Sequence, residues 1–151
     1  MNGNALRPSC EVHLDGIHWD LTIQSFPKGV VVLTISGTDV GEFGDRPMWE
    51  LNEFVKDVDP VHLFIDARDV RGASMNVSGG WAEWLRTHKT HFQNISMLTG
   101  SRYVGITADF VRRFAMLEGI MRIYTEPEIF DAALRHSFTE WKVDGSPQEC
   151  L

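Results

Sequence analysis

Two strand-like runs separated by one helix-like segment constrain the fold of this chain most strongly. The runs Val30–Ile35 and Val61–Ile65 are mostly β-branched or aliphatic, which is typical of strands covered on both faces. Between them, Pro47 suits the first turn of a helix, and apolar residues follow at spacings of three and four. A buried strand, a crossover helix and a second buried strand form a right-handed unit with parallel strands. We therefore predict two adjacent, parallel central strands.

The rest of the chain continues the alternation of strands and helices. Period-two alternation before Val30 indicates an initial strand region, and a capping-box pattern at Thr125–Glu128 begins a last helix. Tyr103–Ile106 is predicted to extend a strand or to form a short edge piece. The predicted class is α/β, a single domain with a mixed sheet of four to five strands and about four helices mainly on one face. The side chains that we expect to be buried are Leu51, Phe64, Leu85, Phe114 and Leu134.

Length and charge narrow the functional classes. A chain of 151 residues with 43% hydrophobic residues suits one domain, placed here at 11–138, with 1–10 and 139–151 as terminal extensions. A net charge of −7 argues against nucleic acid as a partner. No apolar run reaches the length of a membrane span, and the start at Met1 lacks a signal-peptide pattern, so we expect a cytoplasmic protein. Cys10 and Cys150 have no Cys or His at ligand spacing, which predicts neither a structural metal site nor a disulfide framework.

A Gly/Ser-rich segment after the second buried strand marks the predicted site. The strand ends at Asp66, and the segment Gly72–Gly80 is expected to be a loop that opens into a helix at Trp81. In α/β sheets, ligands gather at the carboxyl ends of strands, where helix N-termini present unpaired N–H groups. Ser78 is expected to cap the helix, since Ser is among the preferred N-cap residues.

The order of these elements resembles the STAS domain family, the SpoIIAA-like fold of anti-sigma-factor antagonists and of the cytoplasmic tails of sulphate transporters. The resemblance covers Glu11–Leu134 and is most specific in the closing segment Ile123–Leu134, a short strand followed by a helix. The family carries a phosphorylatable serine in an Asp-Ser-Ser-Gly loop at the start of its second helix. Placing Gly80 and Trp81 on the step after that loop puts Ser78 on the serine, with Val77 and Gly79 departing from the pattern.

The resemblance implies a non-catalytic regulatory module that docks a protein partner, such as an anti-sigma factor or a kinase. Docking would use the Ser78 loop and the helix after it, and a negative charge at Ser78 would weaken the complex. Ser74 is a second candidate for phosphorylation, and a homodimer is a further assembly to test. The predicted docking surface comprises Asp66, Arg68, Asn76, Gly79, Gly80, Trp81 and Trp84.

Other functional classes receive less support from the residues. The aromatic residues could line a pocket between sheet and helices, so a small apolar ligand is the alternative function. Gly79 and Gly80 before a helix could instead cradle an anion or a nucleotide phosphate, although no complete phosphate-binding motif is present. His88 and His91 stand three apart without a further ligand at suitable spacing, so no metal or other cofactor is expected. No recognisable catalytic motif occurs, and we predict no enzyme.

Overall fold

A computed structural model describes residues 7–139 of the chain, with side chains through residue 138. The described residues form one six-stranded sheet, and the strands lie in the sheet in the order in which they occur in the chain. The first three strands are antiparallel, and the third to the sixth are parallel. The strands are β1 (Cys10–Asp15), β2 (Trp19–Phe26), β3 (Val30–Asp39), β4 (Val61–Ala73), β5 (Phe92–Thr99) and β6 (Met121–Tyr124).

The two central strands confirm the parallel unit predicted from the sequence. Val31 of β3 pairs with Leu63 of β4, and both residues are almost fully buried. The mixed α/β class is confirmed, but the sheet has six strands rather than four to five. The initial region supplies two of them, because the chain reverses near Gly16 and β1 pairs along its length with β2.

Within residues 7–139, four α-helices cover the sheet, three of them on one face. Apolar residues of α1 to α3 pack with Leu33, Leu63 and Ile65 in the larger core, whereas Phe130 of α4 packs with Val32 and Phe64 on the other face. This arrangement confirms the prediction of helices mainly on one face. The helices are α1 (Arg46–Val55), α2 (Met75–His88), α3 (Arg102–Phe114) and α4 (Pro127–Thr139).

Helix α3 differs most from its predicted position. It begins at Arg102, so Tyr103–Ile106 is helical and the predicted strand extension is wrong. Ser101 caps the helix by accepting the N–H of Val104 at 3.2 Å. The earlier start also sets which residues face the sheet, namely Val104, Ala108, Val111 and Ala115.

The burial predictions hold for three of the five named residues. Leu51, Phe64 and Leu85 are buried, as expected. Phe114 is 49% exposed, so its predicted burial is wrong: it stacks on Phe110 along the outer side of α3. Leu134 is only partly buried, at the margin of the smaller core.

The ends of the chain are described only in part. Residues 1–6 of the predicted N-terminal extension and residues 140–151 of the C-terminal extension lie outside the described residues. Cys10 is disulfide-bonded, which the sequence did not predict. Disulfides persist chiefly in oxidising compartments, so the bond does not support a cytoplasmic location, which stays a prediction. Between residues 7 and 139, no helix has the length and apolar character to cross a bilayer.

Candidate functional site

The segment predicted as a Gly/Ser-rich loop is mostly regular structure. Strand β4 runs on to Ala73 and α2 begins at Met75, so only Ser74 separates the two elements. Gly79 and Gly80 lie inside α2 and form no loop. A Cβ atom on Gly80 would come within 3.4 Å of the Met48 side chain on α1, which is an ordinary van der Waals contact.

Ser74, not Ser78, caps helix α2. Its backbone is extended, and its Oγ accepts the N–H of Val77 at 3.2 Å. Ser78 stands one turn later with 7% of its surface exposed, and its hydroxyl donates to the carbonyl oxygen of Ser74 at 3.1 Å. The predicted capping role of Ser78 is therefore wrong. The exposed serine at the helix start is Ser74, and the neighbouring Met75 is 90% exposed.

Asp66 and Arg68 lie on the α4 face of the sheet, away from α2. The Arg68 Nε donates to Asp66 Oδ1 at 3.0 Å, and its Nη2 donates to Asp131 Oδ1 of α4 at 2.7 Å. Hydrogen bonds to both carboxylates raise the pKa of Arg68. Through Asp131, Asp66 and Arg68 therefore attach α4 to the sheet. They do not share a surface with the predicted docking residues of α2.

The remaining predicted docking residues differ in exposure. Trp84 is buried, and its Nε1 donates to Asn52 Oδ1 of α1 at 2.9 Å. Asn76 is exposed in the first turn of α2. Trp81 is partly exposed, and its ring packs edge-to-face against Trp84. Two of the predicted site residues, Ser78 and Trp81, border a cavity.

An apolar cavity of about 100 Å³ lies between the sheet and helices α2 and α3. It sits at the carboxyl ends of β3 and β4, the position at which α/β sheets usually bind ligands. Almost all of its wall is apolar. Its polar side chains are Asp39, Ser78 and Thr107, and residues such as Leu33, Ile65, Trp81, Ala108 and Val111 supply the apolar wall.

Asp39, the last residue of β3, is the acidic residue of this cavity. Its side chain is 7% exposed; Oδ1 accepts the N–H of Gly41 at 3.0 Å, and Oδ2 accepts the Nε1–H of Trp81 at 3.4 Å. Burial raises the pKa of the Asp39 carboxyl, and the two hydrogen bonds only partly oppose that effect. Sequence reasoning missed this residue. The signal was present, since Asp39 follows the buried run Val30–Ile35 at the carboxyl end of its strand.

A groove of about 280 Å³ adjoins the cavity and shares Asp39 and Trp81 with it. Trp19, Phe43 and Met48 supply apolar surface to the groove, and Asp45 supplies a second carboxylate. The rings of Trp19 and Phe43 lie 5.3 Å apart. The cavity and the groove therefore form one continuous candidate site, with an apolar inner part and a more polar outer part.

Glu42 holds the loop that borders the groove. Its carboxylate accepts the backbone N–H groups of Ile17, His18 and Trp19 at 2.9 to 3.1 Å. Desolvation opposes the effect of these hydrogen bonds, but together they lower the pKa of Glu42. Gly16 makes room for this arrangement, because a Cβ atom there would lie 2.7 Å from Glu42 Oε1. The segment between β3 and α1 is thereby fixed to the β1–β2 turn.

His88 and His91 line neither the cavity nor the groove. The Nδ1 atom of His88 is hydrogen-bonded to the Trp84 carbonyl at 2.8 Å, and its ring stacks on the Trp84 ring. Within the part of the chain that the structure describes, no group of three or more His, Cys, Asp or Glu side chains is arranged to hold a metal ion.

The fold is similar to that of an uncharacterized protein from the DUF3478 family with a SpoIIAA-like fold, from Shewanella loihica PV-4. The TM-score is 0.59 and the sequence identity 11%, and the similarity covers 80% of this chain and 98% of that chain. No protein-family model and no curated protein matches the sequence. A likeness at this identity establishes the fold alone. The chain therefore has a SpoIIAA-like fold, in agreement with the resemblance drawn from its sequence.

Proposed function

We propose that this chain is a non-catalytic binding domain that takes a small, mainly apolar ligand into the cavity between the sheet and helices α2 and α3. The observation that carries the proposal is the cavity itself. Close-packed interiors contain few voids larger than a water molecule, and this one measures about 100 Å³. Left empty, such a volume costs about 2 kcal/mol of stability at the usual rate per cubic ångström. An apolar occupant would recover that cost.

The size and lining of the cavity indicate the ligand's dimensions. Its apolar wall disfavours water, which needs two to four polar partners. A cavity of about 150 Å³ holds a benzene ring, so the present one suits an apolar group of about four carbon atoms. A ligand with a polar end would place that end beside Asp39, where the cavity meets the groove.

Filling the cavity tests this function. Butan-1-ol serves as the probe, and its titration is followed by amide chemical shifts in two-dimensional NMR. In the wild type, we expect saturable shifts confined to the residues that line the cavity. Ala108→Leu should abolish them, because Ala108 is 2% exposed and lies in the cavity wall. Ala132→Leu makes the same change on the exposed side of α4 and should leave binding intact. Equal binding by both variants would contradict the proposal.

Protein docking is the second candidate function, with its surface placed on α3 rather than at Ser78. Burial of Ser78 and Trp84 removes much of the predicted surface. In contrast, α3 exposes an apolar stripe on its outer side, where four side chains and one residue just beyond the helix are each about half exposed or more. The stripe consists of Tyr103, Ile106, Phe110, Phe114 and Met116.

The occupant that this stripe fits is a second copy of the chain. Large apolar side chains bury roughly 150 to 250 Å² when covered, so the half-exposed stripe offers about 500 Å² in each protomer. Homodimer interfaces are about 65% apolar, and a standard interface covers about 800 Å² per partner. The apolar area expected of such an interface is therefore also about 500 Å² in each protomer. The helical positions follow one another at intervals of three, four and four residues. In an antiparallel pair, Tyr103 would therefore face Phe114 and Ile106 would face Phe110 of the other copy.

Sedimentation velocity distinguishes this second function from the first. The wild type should sediment as a dimer at micromolar concentration, and Phe110→Glu should make it monomeric. Ile17→Glu is the control, because Ile17 is 92% exposed on the β1–β2 turn, away from α3. A monomeric wild type would exclude self-association. An anti-sigma or kinase partner stays a prediction of the family resemblance, as does phosphorylation, for which Ser74 is the accessible candidate.

A further inference from the structure

Asp39 is a buried carboxylate whose charge no described side chain balances. Between residues 7 and 138, no Lys, Arg or His forms an ion pair with it, and its hydrogen bonds come from neutral N–H groups of Gly41 and Trp81. Buried acidic groups are normally paired with a cation, because transfer from water is costly for an isolated charge. On the α4 face, two partly buried carboxylates follow this rule, since Asp66 and Asp131 both contact Arg68.

The charges around Asp39 disfavour the binding of an anion. Neither the cavity nor the groove includes a Lys, Arg or His among its described lining residues, whereas the groove adds the carboxylate of Asp45. Glu42, three residues along the chain from Asp39, adds a negative charge whose Coulombic effect reaches the Asp39 carboxyl. Apolar walls strengthen the resulting field, because charges interact more strongly where the dielectric constant is low.

Aromatic side chains border the same place. The Trp81 indole borders both the cavity and the groove, and Trp19 and Phe43 line the groove. The faces of aromatic rings attract ammonium groups, and the interaction is stronger when the cation is desolvated. Carboxylates, aromatic rings and the absence of basic side chains thus favour the same class of ligand.

The hydroxyl groups of the cavity are placed to accept hydrogen bonds. Ser78 donates its proton to the carbonyl oxygen of Ser74 at 3.1 Å, and Thr107 donates its proton to that of Tyr103 at 3.2 Å. Because each hydroxyl proton is already used within its own helix, the oxygen is left as an acceptor. An ammonium group carries donors only, so these oxygens match it better than they match a carboxylate or a carbonyl.

We propose that the ligand is a small alkylammonium ion, with its alkyl group in the cavity and its ammonium group beside the Asp39 carboxylate and the Trp81 ring. This inference rests on the proposed ligand-binding function and names the chemical class of the ligand. The cavity volume limits the alkyl group to about four carbon atoms, so butylammonium is the simplest representative.

Three four-carbon probes of similar size and different charge test the inference. Butylamine is a cation at pH 7, since alkylamines titrate near the ordinary value for lysine; butan-1-ol is neutral and butyrate is an anion. Their dissociation constants for the wild-type chain are measured by NMR titration at pH 7 and constant ionic strength. We expect butylamine to bind at least about tenfold more tightly than butan-1-ol, and butyrate to bind most weakly.

Two variants assign the preference to Asp39. Asp39→Asn should reduce the ratio between butylamine and butan-1-ol to less than about twofold, while butan-1-ol still binds. Asp57→Asn removes an exposed charge from the turn after α1 and should keep the wild-type ratio. The wild-type comparison alone decides the inference if Asp39→Asn does not fold.

The outcomes separate this inference from the function on which it rests. Binding of butan-1-ol as tightly as butylamine to the wild type would overturn the ammonium class and leave the ligand-binding function standing. Failure of all three probes to bind would overturn both. A preference for butylamine that survives in Asp39→Asn would overturn the role of Asp39.

Discussion

Among individual residues, Asp39 has the largest consequence for the behaviour of the protein. Its carboxyl group is buried at the end of a central strand and is held by one backbone and one indole N–H group. Burial raises its pKa, and the charge of Glu42 adds to this effect. The folded protein therefore holds the Asp39 proton more tightly than the unfolded chain does. This sign is opposite to that of a carboxylate in an ion pair.

The pH dependence of stability should reveal this buried carboxyl. The stabilising contribution of protonated Asp39 is present below the ordinary carboxyl pKa and is lost as the pH rises through the raised pKa. Asp39→Asn removes this loss, so the free energy of unfolding of the variant relative to the wild type should increase from about pH 4 to pH 7. Urea denaturation of both proteins at several pH values measures the difference. A difference that stays constant with pH would show that the Asp39 pKa is ordinary.

An introduced negative charge should affect stability much less at Ser74 than at Ser78. Ser74→Asp keeps a good N-cap with a negative charge at the positive end of α2, so it should change stability by less than about 0.5 kcal/mol. Ser78→Asp buries an uncompensated charge and should destabilise the fold by about 3 kcal/mol. Thermal or urea unfolding compares the two variants with the wild type. Equal effects would mean that Ser78 is accessible, as the sequence first suggested.

The sequence located this region correctly but assigned the serines to the wrong positions. A pair of glycines usually marks a turn, and that rule placed the helix start after Gly80. In the structure, both glycines lie inside α2, because the helix begins earlier, where Ser74 caps it by accepting the N–H of Val77. Asp39 was missed for a different reason: its place after a buried run is visible in the sequence, but the cavity that α2 and α3 close above it is not.

At the level of elements, the residue that follows β5 lies at very close range to the backbone of β4. A Cβ atom built on Gly100 would overlap the backbone carbonyl oxygen of Arg68. Backbone atoms of a central strand cannot easily move aside, unlike the end of a flexible side chain. The contact fixes where α3 begins, and α3 in turn forms one wall of the cavity.

Substitution of Gly100 tests how firmly the chain after β5 is held against β4. Gly100→Ala should destabilise the protein by about 3 kcal/mol through steric overlap with the strand. Gly119→Ala is a matched control, because no atom lies within 4 Å of the position of its Cβ, and it should change stability by less than about 0.5 kcal/mol. Chemical denaturation of both variants measures the effect. A small loss at Gly100 would show that the loop can move away from β4.

Taken as a whole, the described part of the molecule has a larger core on one face of the sheet and a smaller core on the other. Helix α4 covers the smaller core, in which Phe130 contacts Phe64 edge-to-face at 6.0 Å. The ion pair between Arg68 and Asp131 adds to this contact, but both side chains are partly exposed, which limits its contribution to about 1 kcal/mol or less. Apolar burial therefore dominates the attachment of α4.

Truncation of Phe130 should measure that attachment. Phe130→Ala should reduce the free energy of unfolding by about 3 to 5 kcal/mol, as is usual for a fully buried aromatic residue. Ile129→Ala changes the neighbouring side chain, which is 47% exposed, and should cost less than about 1 kcal/mol. Urea denaturation compares the two. Similar losses would indicate that α4 adds little to the stability of the fold.

Architecture was more predictable than the site. The two buried runs were sufficient to predict the parallel pair β3 and β4, since hydrophobic strands flanking a helix allow few alternatives. The orientation of Phe114 was wrong because α3 carries apolar residues on two sides, and periodicity alone does not tell which side meets the sheet. The predicted number of strands was too low because the alternating pattern of the early residues does not show where the chain reverses between β1 and β2.

The order of the strands also bears on how the chain folds during synthesis. Every strand pairs with its immediate predecessor in the sequence, from β1 to β6. Pairing between sequence neighbours keeps contact order lower than pairing between distant strands would. As the chain leaves the ribosome from its N-terminus, at about 5 to 20 residues per second, each strand meets a partner that has already been made. The sheet can therefore grow in one direction, with the newest strand as the growing edge until β6 is added.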